Sequence, residues 1–139
     1  MTIQPYFVSS PVTTPVSERC VRLLEPLEYV AEGQKITVPA MFVTDGASIP
    51  RFFWWLFLPM GKHFAAAIIH DWLYYTGVRS KFVADAIFCE AIKALGCSKF
   101  RQYAMFYCVL FFGWNAWRNH RKAGHSVEQW KKNFVNGNN

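Results

Sequence analysis

Four side chains stand where they could do acid–base chemistry. His70 and Asp71 interrupt the apolar stretch Phe64-Ala-Ala-Ala-Ile-Ile-His-Asp-Trp-Leu-Tyr-Tyr, Tyr74 follows in the same stretch, and Asp85 lies in the next one. Ionisable groups in such surroundings are costly unless each finds a partner. Residues four apart share a helix face, so Tyr74 goes with His70 and Tyr75 with Asp71. Asp85 shares a face with Phe88, Cys89 and Ile92 rather than with the exposed-looking Glu90 and Lys93, and so points inward. If residues 76–80 are the turn of an antiparallel helical hairpin, His70 and Asp85 each stand about five residues from it and meet at similar height. A carboxylate on one imidazole nitrogen fixes the tautomer and raises basicity, leaving the other nitrogen to take a proton from water as a general base. Asp71 projects about 100° away around the helix. It cannot share the imidazole but can place its carboxylate on a metal ion. The same residues also suit a satisfied buried network with no turnover, and Asp85 near a helix N-terminus is a favourable dipole placement needing no function.

The elements that hold these residues form an α+β arrangement, a small irregular antiparallel sheet feeding a helical layer. Residues 20–30 and 35–44 are rich in Val, Ile, Leu, Tyr and Phe and flank a short loop containing Gly33, which predicts a β-hairpin. Pro26 and Pro39 cannot donate to a ladder, so each belongs at an edge or bulge. Ser48 ahead of Pro50 opens a short apolar helix over 51–58, and longer helices are predicted over 63–75, 81–95 and 98–119. The connectors are short enough to make these helices antiparallel neighbours.

With 139 residues, 53% of them hydrophobic and 17% charged, the chain can bury one core, which excludes a disordered tail. No segment repeats and no tract is of low complexity. A single domain is expected over residues 1–135, with 136–139 frayed. No basic stretch followed by an apolar run occurs near Met1, which predicts synthesis into a cytoplasm without a cleaved signal peptide. Cys20, Cys89, Cys97 and Cys108 include no Cys-x-x-Cys pair and read as reduced, mostly buried thiols. The net charge of +6 asks for an anionic partner. Arg118, His120, Arg121, Lys122, His125, Lys131 and Lys132 form a basic segment that reads as a solvated tail or helix end. It has no base-stacking aromatics or groove-reading motif beside it, so nucleic acid is disfavoured and anionic lipid fits better.

Two apolar runs raise the question of a membrane. Residues 102–117 carry no charge, yet they make only about 24 Å of helix against a hydrocarbon core of ~30 Å, and they read as a buried helix. Residues 52–60, Phe-Phe-Trp-Trp-Leu-Phe-Leu-Pro-Met, leave no polar face. They serve either as core or as an interfacial lipid-binding element. No Gly-x-Ser-x-Gly elbow or phosphate-binding glycine loop is present.

His-Asp-x-x-Tyr on one helix, with Asp on the next, resembles the catalytic core of secreted and prokaryotic phospholipase A2 enzymes over residues 63–95. The resemblance implies His70 as the base that activates water, Asp71 as a calcium ligand, Asp85 as the partner of His70, and Tyr74 as a hydrogen-bond donor to Asp85. The glycine-rich calcium loop of that family has no clear counterpart beyond Asp45-Gly46 and Met60-Gly61-Lys62, and its disulfides have none. A phospholipid surface is the partner it implies.

A second resemblance covers more of the chain. Val38-Pro-Ala-Met-Phe-Val-Thr-Asp-Gly-Ala-Ser-Ile-Pro-Arg51, Ala66-Ala-Ile-Ile-His-Asp-Trp-Leu-Tyr74, Ala84-Asp85 with Phe88, and Gly113-Trp114 are similar to the phage and prophage family catalogued as domain of unknown function 1353. Lys81 stands where that pattern carries arginine. The resemblance implies a phage or prophage origin and no established activity. On it, the protein acts in the cytoplasm of a bacterial host, at the periphery of the inner membrane, or packaged in a virion, with phage structural or host envelope proteins as alternative partners. It adds Thr44, Asp45, Ser48 and Arg51 to the residues of interest. They form either a strand-to-helix corner or, through Asp45 beside Asp71, a further metal oxygen. Two functions follow as expectations, a phospholipase A2-like lipid hydrolase and a non-enzymatic virion or host-interaction protein.

Overall fold

A computed structural model describes residues 4–17, 20–31, 33–45 and 63–136. Six short strands come first: β1 (Tyr6–Phe7), β2 (Thr13–Pro15), β3 (Cys20–Leu23), β4 (Leu27–Ala31), β5 (Gln34–Val38) and β6 (Val43–Asp45). Five helices follow: α1 (Phe64–Thr76), α2 (Lys81–Ala94), α3 (Lys99–Phe112), α4 (Trp114–Ala123) and α5 (Val127–Val135). The α+β class expected from the sequence is the observed one.

The expected hairpin is present and bent. Ala31 pairs with Gln34 around Gly33, whose φ of 74° is a left-handed value that glycine adopts without a Cβ penalty. One register runs down both arms, with Leu27 opposite Val38 and, five residues further along each arm, Arg22 opposite Val43. Between those pairs the ladder breaks at Pro26 and Pro39, because neither residue has an N–H to give. Each expected strand is therefore two strands, and the arms pass from one antiparallel sheet, β1-β4-β5, into a second, β2-β3-β6. The outer strands β1 and β2 were not foreseen, being too short to show alternation.

Leu23, Leu27, Tyr29, Val38 and Phe42 of the sheets bury against Ile68, Ile69, Trp72 and Leu73 of α1, with Phe88 and Ile92 of α2 and Met105 of α3 completing the core. Tyr29 also donates from its hydroxyl to Glu90 Oε1 at 2.6 Å, so Glu90 is an anchor between β4 and α2 rather than a plain surface acid. Serine starts three of the helices. Ser80, Ser98 and Ser126 accept from Val83, Arg101 and Gln129 N–H groups, which satisfies donors left over in each first turn. All four cysteines are free thiols, with Cys97 and Cys108 buried and Cys20 and Cys89 partly so.

Two expectations about the C-terminal half are corrected. The helix over 98–119 divides at Gly113 into α3 and α4. It is not a buried helix either. Only Met105, Cys108 and Val109 of α3 are buried, while Tyr103, Tyr107, Phe111 and Phe112 are exposed. The basic segment is the helix end that the sequence suggests, the second half of α4 and then α5, with Arg118, Lys122, Lys131 and Lys132 exposed, while Arg121 turns inward. The guanidinium donates to the carbonyls of Tyr74 at 2.9 Å and Tyr75 at 2.7 Å, which closes the C-terminal end of α1. Gly77, at φ 63°, leaves room for that guanidinium, where a Cβ would overlap it. Asn136 follows α5 with its N–H on the Lys132 carbonyl. The expected helix over 51–58 and the aromatic run 52–60 lie outside the described residues, as do Ser48 and Arg51.

Candidate active site

The turn between α1 and α2 makes them antiparallel neighbours, and His70 meets Asp85 across their interface. His70 Nε2 lies 2.8 Å from Asp85 Oδ1, and the Tyr74 hydroxyl donates to the same oxygen at 2.6 Å. The other oxygen, Oδ2, accepts from Lys81 Nζ at 2.6 Å. Asp85 has 0% of its surface exposed, Lys81 2% and His70 7%. A carboxylate at such depth is tenable because three donors converge on it.

Lys81 is the member that sequence reasoning passed over. Its position four residues before Asp85, on the same face of one helix, was the signal available. Besides Asp85 it donates to the carbonyls of Val109 and Leu110, both at 3.1 Å, so three acceptors take its three N–H groups. Those carbonyls are in the last turn of α3, where a cation is favoured by the helix dipole. Its Nζ also lies 4.8 Å from the centre of the Trp114 ring. Lys81 thereby ties α2 to α3 and α4 while neutralising Asp85.

Tyr74 is held from the far side. Trp117 of α4 packs edge-on against its ring at 5.3 Å between centroids. Gly113 gives its hydroxyl the space to reach Asp85, for a Cβ there would sit 2.5 Å from that oxygen and overlap the Val109 carbonyl. The division between α3 and α4 thus falls where the backbone must pass close to Tyr74.

Electrostatics fixes the proton positions. Burial, the largest influence on His70, disfavours the imidazolium; Asp85 opposes this, Lys81 reinforces it, and the pKa falls below the usual 6.5. Burial alone would raise the Asp85 carboxyl, but the hydrogen bonds from His70, Lys81 and Tyr74 outweigh it and hold it below the usual 3.8. Burial and then the bond to Asp85 push the Tyr74 phenol far up, so it stays a donor. An ionised carboxylate only accepts, so the neutral ring carries its proton on Nε2. Nδ1 then holds a lone pair and makes no hydrogen bond to a described residue. The rings of Tyr74 and Phe88 pack against the imidazole at 4.1 and 4.7 Å between centroids.

Asp71 is turned away from this network, as its place on α1 requires. Its Oδ2 accepts from the Thr44 hydroxyl, which joins β6 to α1. Asp45 pairs through its backbone with Cys20 in the second sheet, and its side chain lies outside the described residues. Among the described residues no three His, Cys, Asp or Glu side chains converge as a metal cluster. The Asp71 carboxylate and the Thr44 hydroxyl lie together on that side of α1, and calcium takes six to eight oxygens. No chemical step below runs through a metal.

No curated protein and no solved structure matches the chain. One family model does match, over a span holding α1, α2 and all four side chains of the buried network. By that match over residues 21–109, the chain belongs to the family described as protein of unknown function, DUF1353.

Proposed function

We propose that the protein is a hydrolase of lipid esters in which His70 activates water. One observation carries the reading: a neutral, nearly buried imidazole is fixed by Asp85 through Nε2, while Nδ1 bonds to no described residue. In the proposed reaction Nδ1 takes a proton from water as the oxygen attacks the ester carbonyl. The imidazolium that forms is stabilised by the Asp85 carboxylate, and its proton then passes to the departing alcohol oxygen. Tyr74 and Lys81 are positioning residues, which keep Asp85 ionised and aimed at His70. Calcium at Asp71, and phospholipid as substrate, follow from the resemblance to phospholipase A2, and Asp45 as a further metal oxygen follows from the second resemblance.

The test is fatty acid release from mixed anionic and zwitterionic vesicles, with and without chelator. Wild type should release fatty acid and His70→Gln, which keeps a donor for Asp85 but lacks a basic nitrogen, should lose at least about 100-fold in rate. Release unaffected by chelator would remove calcium and leave the base in place. A folded wild type without release on either lipid would end the reading.

A second reading has its own support in Lys81. Because it saturates Asp85 and two carbonyls of α3, the network holds three helices together whether or not water is activated. On that reading the protein is a non-enzymatic phage virion component or host-interaction factor. His70→Gln would then lower stability and change no turnover.

A further inference from the structure

We propose that the outer side of α3 is a docking surface for an anionic phospholipid membrane. α3 packs inward through Met105, Cys108 and Val109. The opposite side carries Tyr103, Tyr107 and Phe111, which are four residues apart and so form one stripe. Tyr107 and Phe111 stack, their centroids 6.2 Å apart. Trp114 extends the stripe into α4, and its ring meets Phe82 of α2 edge-on at 5.7 Å. Phe111 is 66% exposed and Phe82 60%. A contiguous aromatic face of this kind marks an interaction site on a soluble domain.

The charges around it select the occupant. Between Ala91 and Val127 the sequence contains no acidic residue, and Lys93, Lys99, Arg101, Arg118 and Lys122 are all exposed. Lys99 stands four residues before Tyr103 and so continues the line of the stripe, and the Arg118 guanidinium rests 5.7 Å from the centre of the Trp114 ring at its other end. A second copy of the chain would bring these cations against one another, whereas anionic headgroups neutralise them. Tyrosine and tryptophan, apolar in body and polar at the tip, suit the headgroup boundary. The 14 residues of α3 are about 21 Å long, and no helix among the described residues is long and apolar enough to cross a membrane. α3 therefore lies in the plane of the interface. The inference rests on the lipid reading for what happens at the membrane, but docking itself uses neither His70 nor Asp85.

Cosedimentation with vesicles tests it, using phosphatidylglycerol mixed with phosphatidylcholine against phosphatidylcholine alone. Wild type and His70→Gln should bind the anionic vesicles alike, and less tightly as salt rises. Tyr107→Gln with Phe111→Gln, at exposed positions whose loss leaves the core intact, should weaken binding by about tenfold or more. Lys99→Glu with Arg118→Glu should weaken it as well, and circular dichroism verifies the fold of each variant. The inference is overturned if folded wild type ignores anionic vesicles, or if both folded double variants bind as wild type does. It is also overturned if sedimentation velocity shows a dimer that the aromatic double variant dissolves. Binding without fatty acid release would refute the hydrolase and spare this surface, and release from dispersed short-chain lipid without vesicle binding would do the reverse.

Discussion

Replacing Lys81 by methionine should show how much of the fold rests on the buried ion pair. Methionine fills similar volume and cannot donate, so Asp85 Oδ2 loses its hydrogen bond and the carboxylate loses its neutralising charge. Removing one partner of a buried pair costs about 3–5 kcal/mol. The geometry places this case near the lower end. Asp85 keeps His70 and Tyr74 on Oδ1, and the Val109 carbonyl keeps the N–H of Gly113, which leaves the Leu110 carbonyl as the second unsatisfied group. A loss of about 3 kcal/mol is a large share of the roughly 5–15 kcal/mol that holds a domain together. Urea unfolding at neutral pH should move its midpoint down by on the order of 2 M. Asp85→Asn alone should also destabilise, because Lys81 is then buried without its counter-ion. The double variant should cost less than the two losses added, by about 1–3 kcal/mol of coupling. A Lys81→Met midpoint within error of wild type, or strict additivity in the cycle, would refute the reasoning.

Acid should destabilise the protein through His70. Its folded-state pKa lies below the unfolded value of 6.5, so the unfolded chain takes the proton first. The contribution is complete above that pH and is lost as pH falls below it. Asp85, held below 3.8, adds its own loss only at lower pH. Among the described residues, Asp85 and Tyr74 bond in the same network, and with the carboxyl held below its usual range and the phenol pushed far above its own, neither titrates between pH 8 and 5. Urea midpoints over that range should fall in wild type and fall less steeply in His70→Gln; equal slopes would contradict the assignment. Gly113→Ala should cost about 1–3 kcal/mol, because its methyl group lands against the Tyr74 hydroxyl and the Val109 carbonyl. An unchanged thermal midpoint would show that Tyr74 has slack the geometry does not suggest.

What the sequence disclosed was local and periodic. The hairpin turn at Gly33, the α1–α2 turn and the meeting of His70 with Asp85 all follow from spacing along one or two elements, and each is present in the fold. The proline positions were legible as defects, but whether they bend one sheet or separate two depends on what packs against each arm. Lys81 was hidden by its type, since a lysine in the first turn of a helix ordinarily faces water. Its burial depends on the end of α3 arriving from 28 residues away to offer two carbonyls. Arg121 was misread for the same reason. Nothing in a run of Arg and Lys says which one will find the end of α1, 45 to 47 residues earlier. The aromatic run 102–117 misled in the other direction, because high apolarity was equated with burial although the stripe of Tyr103, Tyr107 and Phe111 opposes the packed face.

A network that exists only to hold helices together is complete once each buried polar atom has a partner. Asp85, Tyr74 and Lys81 meet that condition through one another and through the carbonyls of α3. His70 does more than the condition asks. Donating one N–H to Asp85 would be within the reach of glutamine, yet the chain places an imidazole there, disfavours its charge by burial, packs it against two rings, and bonds its second nitrogen to no described residue. On the hydrolase reading, that lone pair beside an ionised carboxylate is the group a reaction would use. Glutamine at position 70 keeps a donor for Asp85, gives up the ring contacts with Tyr74 and Phe88, and deletes the lone pair. Lost turnover with stability retained would assign Nδ1 to chemistry, and lost stability with no turnover to lose would assign the whole network to the fold.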